Sequence, residues 1–276
     1  MPAATAFVPG HVTGFFAPAP DEDPARAGSR GGGVALSDGV TVTVEPGSGL
    51  TLGGAPTRIE PVERVLTALG VEARISCETP LPLGAGFGVS GAVTLGTALA
   101  ATAAFGLERS ENDLVGLAHR AEVESGTGLG DVVAQARGGL PLRTDAGAPG
   151  HGSLDGIPAR SRVEYLSLGE LSTADTLAGE TDALATAGDR ALSTVRETPT
   201  PAAFVAASRQ FAESVDLLTD DLRSVLTAVD EAGGTASMAM LGETAFCLGT
   251  GLSAAGYDPS VCEIAATGAR LIDVST

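Results

Sequence analysis

Hydrophobic and polar positions in the first half of the chain follow the two periods that mark strands and helices. Residues 40–44 read VTVTV, a strict alternation typical of a strand, and residues 71–78 form a second predicted strand. Residues 58–69 carry apolar side chains at helical spacing, and Gly70 follows them as a glycine commonly follows a helix. Residues 90–107 carry no charge, which predicts a buried helix.

Two local signals add detail to this pattern. The Ser-Asp-Gly stretch at 37–39 predicts a hairpin turn between residues 34–36 and the VTVTV strand. Ser110, with Asp113 three residues later, resembles a capping box. It predicts a helix that runs to about Glu124.

The composition of the chain changes at the start of its second half. Residues 145–156 are rich in Gly, Pro, Ser and Asp, which predicts a loop or a domain boundary. Beyond them the pattern predicts a strand at 163–168 and helices at 182–195, 201–218 and 221–232. The chain is therefore expected to be an α+β protein of two domains, residues 1–150 and 151–276.

Composition narrows the classes of function. The 276 residues include 34 acidic and 16 basic side chains, for a net charge of -18. This argues against a nucleic-acid partner, because binding a phosphate backbone needs a basic face. No lysine is present, so Schiff-base chemistry and a Walker A loop are excluded. We interpret the acidic surface as that of a halophilic protein; the alternative is an ordinary acidic cytosolic protein.

The cysteines and the apolar segments indicate in which cellular compartment the protein is expected. Cys77, Cys247 and Cys262 are far apart in the sequence and fit neither a disulfide framework nor a zinc site. They are predicted to be reduced core residues of a cytoplasmic protein. The N-terminal residues lack the features of a signal peptide. The uncharged segment 79–107 is interrupted by prolines and glycines and is not expected to cross a membrane.

A glycine-rich stretch that leads into the buried helix is the first candidate site. A backbone with alternating glycines can wrap closely around a ligand, and the helix N-terminus that follows favours an anion such as phosphate. The candidate nucleotide-binding residues are Pro82, Gly84, Ala85, Gly86, Phe87, Gly88, Val89, Ser90 and Gly91.

Other interpretations of this stretch stay open at the level of the residues. Ser90 could meet a phosphate or its Mg²⁺, or it could merely cap the helix. Gly86, Gly88 and Gly91 also match a dinucleotide-binding GxGxxG. Prolines between the strand and the glycines disfavour that second interpretation.

Two carboxylates form the second candidate site. Glu122 lies near the end of the capped helix and Asp131 follows a glycine-rich turn. Beside a phosphate loop, such a pair suits one metal ligand and one group that orients or deprotonates an attacking hydroxyl. Glu124 is an alternative metal ligand. The other interpretation is that Glu122, Glu124 and Asp131 are ordinary exposed carboxylates of a helix and a turn, with no role in catalysis.

Together these segments resemble the GHMP superfamily of small-molecule kinases. The stretch 82–92 is similar to the central family motif, although Val89 replaces its first serine. The resemblance implies a nucleotide site for ATP, Ser90 and Glu122 as Mg²⁺ ligands, and Asp131 facing the substrate hydroxyl. It also implies a ribosomal-protein-S5-like N-terminal domain, a ferredoxin-like C-terminal domain and a possible homodimer.

The resemblance also suggests a substrate. Residues 8–12 (VPGHV) are similar to the first family motif, and His11 falls where some members place a lysine, which implies a catalytic and substrate-binding role. Five segments together resemble an archaeal branch of the superfamily that phosphorylates pantoate with ATP. They are residues 10–16, 28–36, 82–92, 127–140 and 240–246. For the pantoate carboxylate Arg30 is the first candidate, ahead of Arg137 and Arg143. Mevalonate or homoserine as substrate, or a catalytically silent homologue, are the alternatives.

Overall fold

The computed structural model describes residues 2–169 and 181–275, which form the predicted α+β structure. Its strands are β1 (Ala3–Ala19), β2 (Gly28–Pro46), β3 (Gly49–Leu52), β4 (Ala55–Pro56), β5 (Ala73–Glu78), β6 (Leu140–Asp145), β7 (Ser153–Ile157), β8 (Arg162–Gly169), β9 (Ala236–Ala239), β10 (Glu243–Leu248), β11 (Ser260–Glu263) and β12 (Arg270–Ser275). Its helices are α1 (Glu60–Leu69), α2 (Val89–Ala104), α3 (Glu111–Glu124), α4 (Asp131–Arg137), α5 (Thr181–Glu197), α6 (Pro201–Ser214), α7 (Asp220–Glu231) and α8 (Gly251–Ala254).

The larger sheet has eight strands and is built on β1 and β2. Its order is β12-β1-β2-β5-β3-β4, and β6 pairs with both β2 and β7. The uncharged helix α2 packs against β1 and β2, and its residues are mostly buried. Gly96 allows close packing, because a Cβ there would lie 2.5 Å from the Val42 side chain. The core therefore lies between this sheet and α2. This packing holds the N-terminus of α2 against the sheet.

The smaller sheet has four strands in the order β11-β8-β10-β9. Helix α7 contacts β9 and β10, while α5 and α6 pack against β1 of the larger sheet. The sheets are also joined directly, since Leu36 bridges to Ile264 and the amide of Met240 donates to the carbonyl of Thr13. The chain thus brings the turn between β9 and β10 onto β1.

Strands from both sides of residue 150 share the larger sheet. Strands β7 and β12 come from the second half, and β12 pairs with β1 at Ala3 and Ser275. The division into domains 1–150 and 151–276 stays a prediction.

The hairpin predicted at residues 34–44 is wrong. Strand β2 continues through this segment, and its register against β1 shifts between Leu36, which faces Gly10, and Gly39, which faces Pro9. The two residues between them, 37 and 38, form a bulge instead of a turn, since extra residues can be absorbed without reversing the strand. The loop predicted at 145–156 is wrong in part, because it includes most of β7, which pairs with β6.

The helix ends confirm the local signals. Gly70 ends α1 in the left-handed conformation, with φ of 70°. Ser110 and Asp113 form both bonds of a capping box at the start of α3, at 3.2 Å and 3.1 Å. None of the helices in the described residues is long and apolar enough to cross a membrane.

The three cysteines are buried and unpaired. Burial raises the pKa of the Cys77 and Cys262 thiols to about 12 and also raises the pKa of Cys247. This agrees with the prediction of reduced core residues.

Candidate active site

The glycine-rich loop joins β5 to α2, and its glycines determine its shape. Gly84, Gly86 and Gly88 have φ of 69°, 87° and 62°, a region that favours glycine. Between them, the side chains of Ala85 and Phe87 point into the core. The carbonyls of Ala85, Phe87 and Gly88 accept hydrogen bonds from the protein. The loop leads directly into the N-terminus of α2, a feature that favours an anion.

Two adjacent cavities open in front of this loop. The first, of about 180 Å³, is lined by Thr13, Gly84, Gly86, Phe87, Gly88, Val89, Ser90, Thr127, Asp131, Met240 and Leu241. The second, of about 120 Å³, is lined by Thr13, Phe16, Ser29, Gly126, Thr127, Gly128, Leu129, Asp131, Arg143, Met240 and Leu241. Asp131 lies at both, so a ligand in one cavity can reach a ligand in the other across this carboxylate.

Not all of the predicted loop residues line the first cavity. Pro82 is exposed beyond it, Ala85 is buried, and Gly91 packs against Val132 and Gln135 of α4. The amide of Gln135 donates to the carbonyl of Gly88 at 2.9 Å. Helix α4 therefore holds the loop in place from behind.

Asp131 begins α4 and is held by two side chains of β1. The ring nitrogen Nδ1 of His11 donates to its Oδ1 at 2.7 Å, and the hydroxyl of Thr13 donates to the same oxygen at 3.3 Å. Burial alone would raise the pKa of Asp131, but the hydrogen bond and charge of His11 and the charge of Arg143 outweigh it and lower that pKa. Asp131 is therefore ionised and fixed.

His11 lies behind Asp131 and does not line either cavity. It is buried, and its Nε2 has no hydrogen-bond partner within the part of the chain that the structure describes. A side chain at Gly33 would strike this ring, so Gly33 makes room for it. The contact with Asp131 is the one expected from the sequence, for which a packing residue was the alternative, and it suits a residue that positions Asp131. The predicted contact of His11 with the substrate stays a prediction.

Glu122 lies beneath the first cavity, directly behind two of its lining hydroxyls. Its carboxylate accepts hydrogen bonds from Ser90 at 2.9 Å, Thr94 at 2.7 Å and Thr127 at 2.7 Å. Burial raises the pKa of Glu122, and these hydroxyls act against that rise. Glu124 instead is exposed and bound to Arg64 at 3.0 Å, so only Glu122 faces the loop.

Arg143 lies on β6 at the wall of the second cavity. Its guanidinium donates to the hydroxyl of Ser29 at 2.9 Å and is 6% exposed. Within the described ranges no carboxylate forms an ion pair with it. Burial lowers its pKa, and the charge of Asp131 raises it. Arg143 is therefore a buried cation at the cavity wall whose charge is offset in part by Asp131, and its guanidinium has the donor geometry that suits a carboxylate of a ligand.

Arg30, the first candidate from the sequence, does not lie with these residues. Its guanidinium donates to both carboxylate oxygens of Asp189 on α5, at 2.8 Å and 2.9 Å. It lines a separate surface cavity with Thr144 and Leu192. Arg137 is also elsewhere, since its guanidinium donates to the carbonyl of Gly138. The structure thus places Arg143, and neither of the other two arginines, beside Asp131.

Several hydroxyl groups at the site are not among the residues predicted from the sequence. Thr94 lies four residues after Ser90, one turn along the same helix face, and this spacing could have revealed it. Thr127 belongs to the glycine-rich turn before Asp131. Thr13 and Ser29 come from strands distant in sequence, and no local signal marks them.

The metal-binding capacity of the site is limited. Across residues 2–169 and 181–275, no three His, Cys, Asp or Glu side chains converge into a metal site. Glu122 and Ser90 nevertheless offer oxygen ligands 2.9 Å apart, the donor type that Mg²⁺ prefers. This pair fits a Mg²⁺ that takes its other ligands from phosphate and water.

A glycine-rich loop at the start of a buried helix, facing a fixed aspartate on this two-sheet fold, defines a kinase of the GHMP class, and residues 59–139 match the GHMP kinases N terminal domain. The chain belongs to the pantoate kinase family of the GHMP kinases. It is 36% identical to the pantoate kinase of Thermococcus kodakarensis over 88% of this chain and 86% of that protein. It is 33% identical to that of Methanospirillum hungatei over 89% and 87%. A solved phosphotransferase related to the CoA biosynthesis pathway superposes with a TM-score of 0.87 at 31% identity over 98% of both chains.

Proposed function

We propose that this protein transfers the terminal phosphoryl group of ATP to the primary hydroxyl of pantoate, giving 4-phosphopantoate for coenzyme A synthesis. The observation that carries the substrate is Arg143, a buried arginine at the wall of the same cavity as Asp131. Besides a secondary hydroxyl next to its carboxylate, pantoate has three parts that this cavity must recognise: the carboxylate, the reacting primary hydroxyl and an apolar branched body. Arg143, Asp131 and the apolar side chains of this cavity complement these three parts in turn.

The first cavity is the proposed nucleotide site. Gly84, Gly86 and Gly88, which line this cavity, would hold the phosphates together with the N-terminus of α2. Ser90 and Glu122 would hold Mg²⁺, which when bound neutralises phosphate charge. The substrate hydroxyl, in the second cavity, would then lie next to the terminal phosphate of ATP, in the first, with Asp131 beside both.

Asp131 orients the substrate hydroxyl in this proposal. Its lowered pKa makes it a weak base. A strong base is not needed, because phosphoryl transfer depends mainly on positioning of the reacting groups and on stabilisation of charge. A new bond forms between the hydroxyl oxygen and the terminal phosphorus as the bond to the ADP oxygen breaks. The hydroxyl proton passes to Asp131 or to water. His11 and Thr13 keep the carboxylate in one orientation throughout.

The proposal is tested by ADP release with ATP, Mg²⁺ and pantoate, mevalonate or homoserine in concentrated KCl. We expect turnover with pantoate alone. Turnover with mevalonate or homoserine in its place would change the substrate, and no turnover with any alcohol would favour a silent homologue.

The two arginines give a sharper test of the substrate site. Arg143→Lys is expected to raise the KM for pantoate about tenfold or more, because a lysine cannot reproduce a bidentate contact, while the KM for ATP stays close to that of the wild type. Arg30→Lys, which changes the pair with Asp189 outside the cavity, is expected to leave the pantoate KM unchanged. The reverse ranking would return the carboxylate to Arg30.

We also propose that the protein is halophilic, cytoplasmic and a homodimer. The acidic, lysine-free composition supports a halophilic protein, and the three buried, unpaired cysteines support a cytoplasmic one. The resemblance to the family supports a homodimer, which light scattering at several protein concentrations would test.

A further inference from the structure

Leu241 has a backbone conformation that aliphatic residues rarely adopt. Its φ is 67°, and among the described residues the only other non-glycine residue with positive φ is Asp216, at 52°. A branched side chain in this region is strained, and the strain persists only where the surrounding structure imposes it.

The turn that carries Leu241, between β9 and β10, is fixed on both sides. On one side the amide of Met240 donates to the carbonyl of Thr13 at 2.9 Å. On the other, Gly242 lies so close to the carbonyl of Ala85 that a Cβ would strike it, and the hydroxyl of Thr244 donates to that carbonyl at 2.9 Å. The turn is therefore held between β1 and the phosphate loop, and Leu241 has no freedom to relax.

Leu241 lines both cavities of the site, and its partly buried side chain packs at the edge of the core. Met240 accompanies it at both, and Phe16 and Leu129 add apolar surface to the second cavity only. Leu241 thus stands where the nucleotide side meets the apolar part of the substrate side. A glycine at this position would relieve the strain but would leave that part of the wall open.

We infer that Leu241 is a specificity-determining residue, strained so that its side chain packs against an alcohol whose reacting carbon adjoins a fully substituted carbon. The inference rests on the proposed function, since pantoate has two methyl groups on the carbon next to its reacting CH₂OH. Phe16, Leu129 and Met240 complete the apolar contact. An unbranched hydroxy acid would leave this surface unfilled.

The test compares pantoate with 2,4-dihydroxybutanoate, the same acid without the two methyl groups. We expect the ratio of their kcat/KM values to fall about tenfold or more in Leu241→Gly and Leu241→Ala, because each lost methyl contact is worth roughly that factor. The fall should come mainly from pantoate. Thermal unfolding of the same variants measures the strain: Leu241→Gly should have a Tm about 2–4 °C above that of Leu241→Ala, the reverse of the usual order of these residues.

Asp216 provides the matched control. It is exposed, lies outside both cavities and pairs with Arg223. Asp216→Gly and Asp216→Ala should show the same order of Tm values and leave the substrate ratio unchanged.

The outcomes separate this inference from the proposed function. If the wild type does not phosphorylate pantoate, the proposed function fails. If the wild type does, but the Leu241 variants keep its preference for pantoate, the inference alone is overturned. A higher Tm for Leu241→Ala than for Leu241→Gly would show that the backbone is not strained there, and would overturn it as well.

Discussion

Glu122 is a buried carboxylate whose charge is stabilised by hydroxyl groups. Ser90, Thr94 and Thr127 donate to it, and burial still raises its pKa. Because the proposed metal site needs the ionised form, activity should fall as the pH drops through this raised pKa. Asp131 has a lowered pKa and would lose its charge only at lower pH. The acidic limb of the pH profile therefore reports Glu122.

Thr94→Val tests this assignment. Loss of the hydroxyl removes a bond that lowers the pKa of Glu122, so the acidic limb of kcat/KM should move to higher pH. Thr97→Val is the control, since Thr97 lies on the same helix, is buried, and has a hydroxyl without a partner in the described structure. Its profile should match that of the wild type. An unshifted limb in Thr94→Val would assign the limb to another group.

We expect His11 to act on the reaction through Asp131, to which it is hydrogen-bonded. His11→Ala removes the hydrogen bond at 2.7 Å and is expected to lower kcat about 10- to 100-fold, the usual worth of a bond to a charged group. His11→Asn should restore most of the loss, because an asparagine amide can donate from nearly the same place as Nδ1. Steady-state kinetics of both variants measure this. Equal losses in the two would indicate a packing role only.

The contrast between Arg30 and Arg143 shows the limit of sequence at the residue scale. Both arginines lie in or beside recognisable motifs, and the motif around Arg30 ranked it ahead of Arg143. The difference comes from α5, which brings Asp189 to Arg30 across 159 positions of sequence. Contacts of this range depend on how elements pack, and no local spacing encodes them. Asp131, Glu122 and Ser90, which belong to continuous motifs, were predicted as neighbours and do lie together.

The junction of the glycine-rich loop and α2 depends on the backbone conformation of Gly88. Gly88 precedes α2 with φ of 62°, and Gly106 follows the same helix with φ of 63°. Alanine at either position should lower the free energy of unfolding by about 1 kcal/mol, since both conformations are strained for a residue with a Cβ. A Cβ at Gly88 would also lie 3.0 Å from the Gln135 amide, whereas nothing lies within 4 Å of one at Gly106.

These two glycines give a paired experiment. Gly88→Ala is expected to raise the KM for ATP about tenfold or more, because it disturbs the proposed phosphate contacts as well as the fold. Gly106→Ala should lose similar stability and keep the KM for ATP. Unfolding in denaturant and steady-state kinetics measure the two effects. Equal KM values would remove the loop from nucleotide binding.

Strands show how far local patterns reach at the element scale. The alternation at 40–44 correctly marked a strand, and the helices α1, α2 and α3 follow from periodicity and caps. The Ser-Asp-Gly stretch misled, because the same residues suit a turn and a bulge, and the long partner β1 decides between them. Strand β12 joins a sheet begun more than 250 residues earlier. No short-range signal predicts that pairing.

The charge of the whole molecule should govern its stability. A net charge of -18 on one chain repels itself in dilute buffer, and salt reduces that repulsion. At about 1 M salt the screening length is only about 3 Å. We therefore expect Tm to rise between about 0.1 M and 1 M KCl, as followed by circular dichroism. A Tm that falls over this range would contradict the halophilic interpretation.

The burial of all three thiols makes this chain a convenient background for site-specific labelling. Cys77, Cys247 and Cys262 are buried with raised pKa values, so they react slowly with thiol reagents near neutral pH. A cysteine introduced at an exposed position such as Leu83, 49% exposed beside the glycine-rich loop, would be the preferred target. A fluorophore attached there could report nucleotide binding in real time without removal of any native residue of the core.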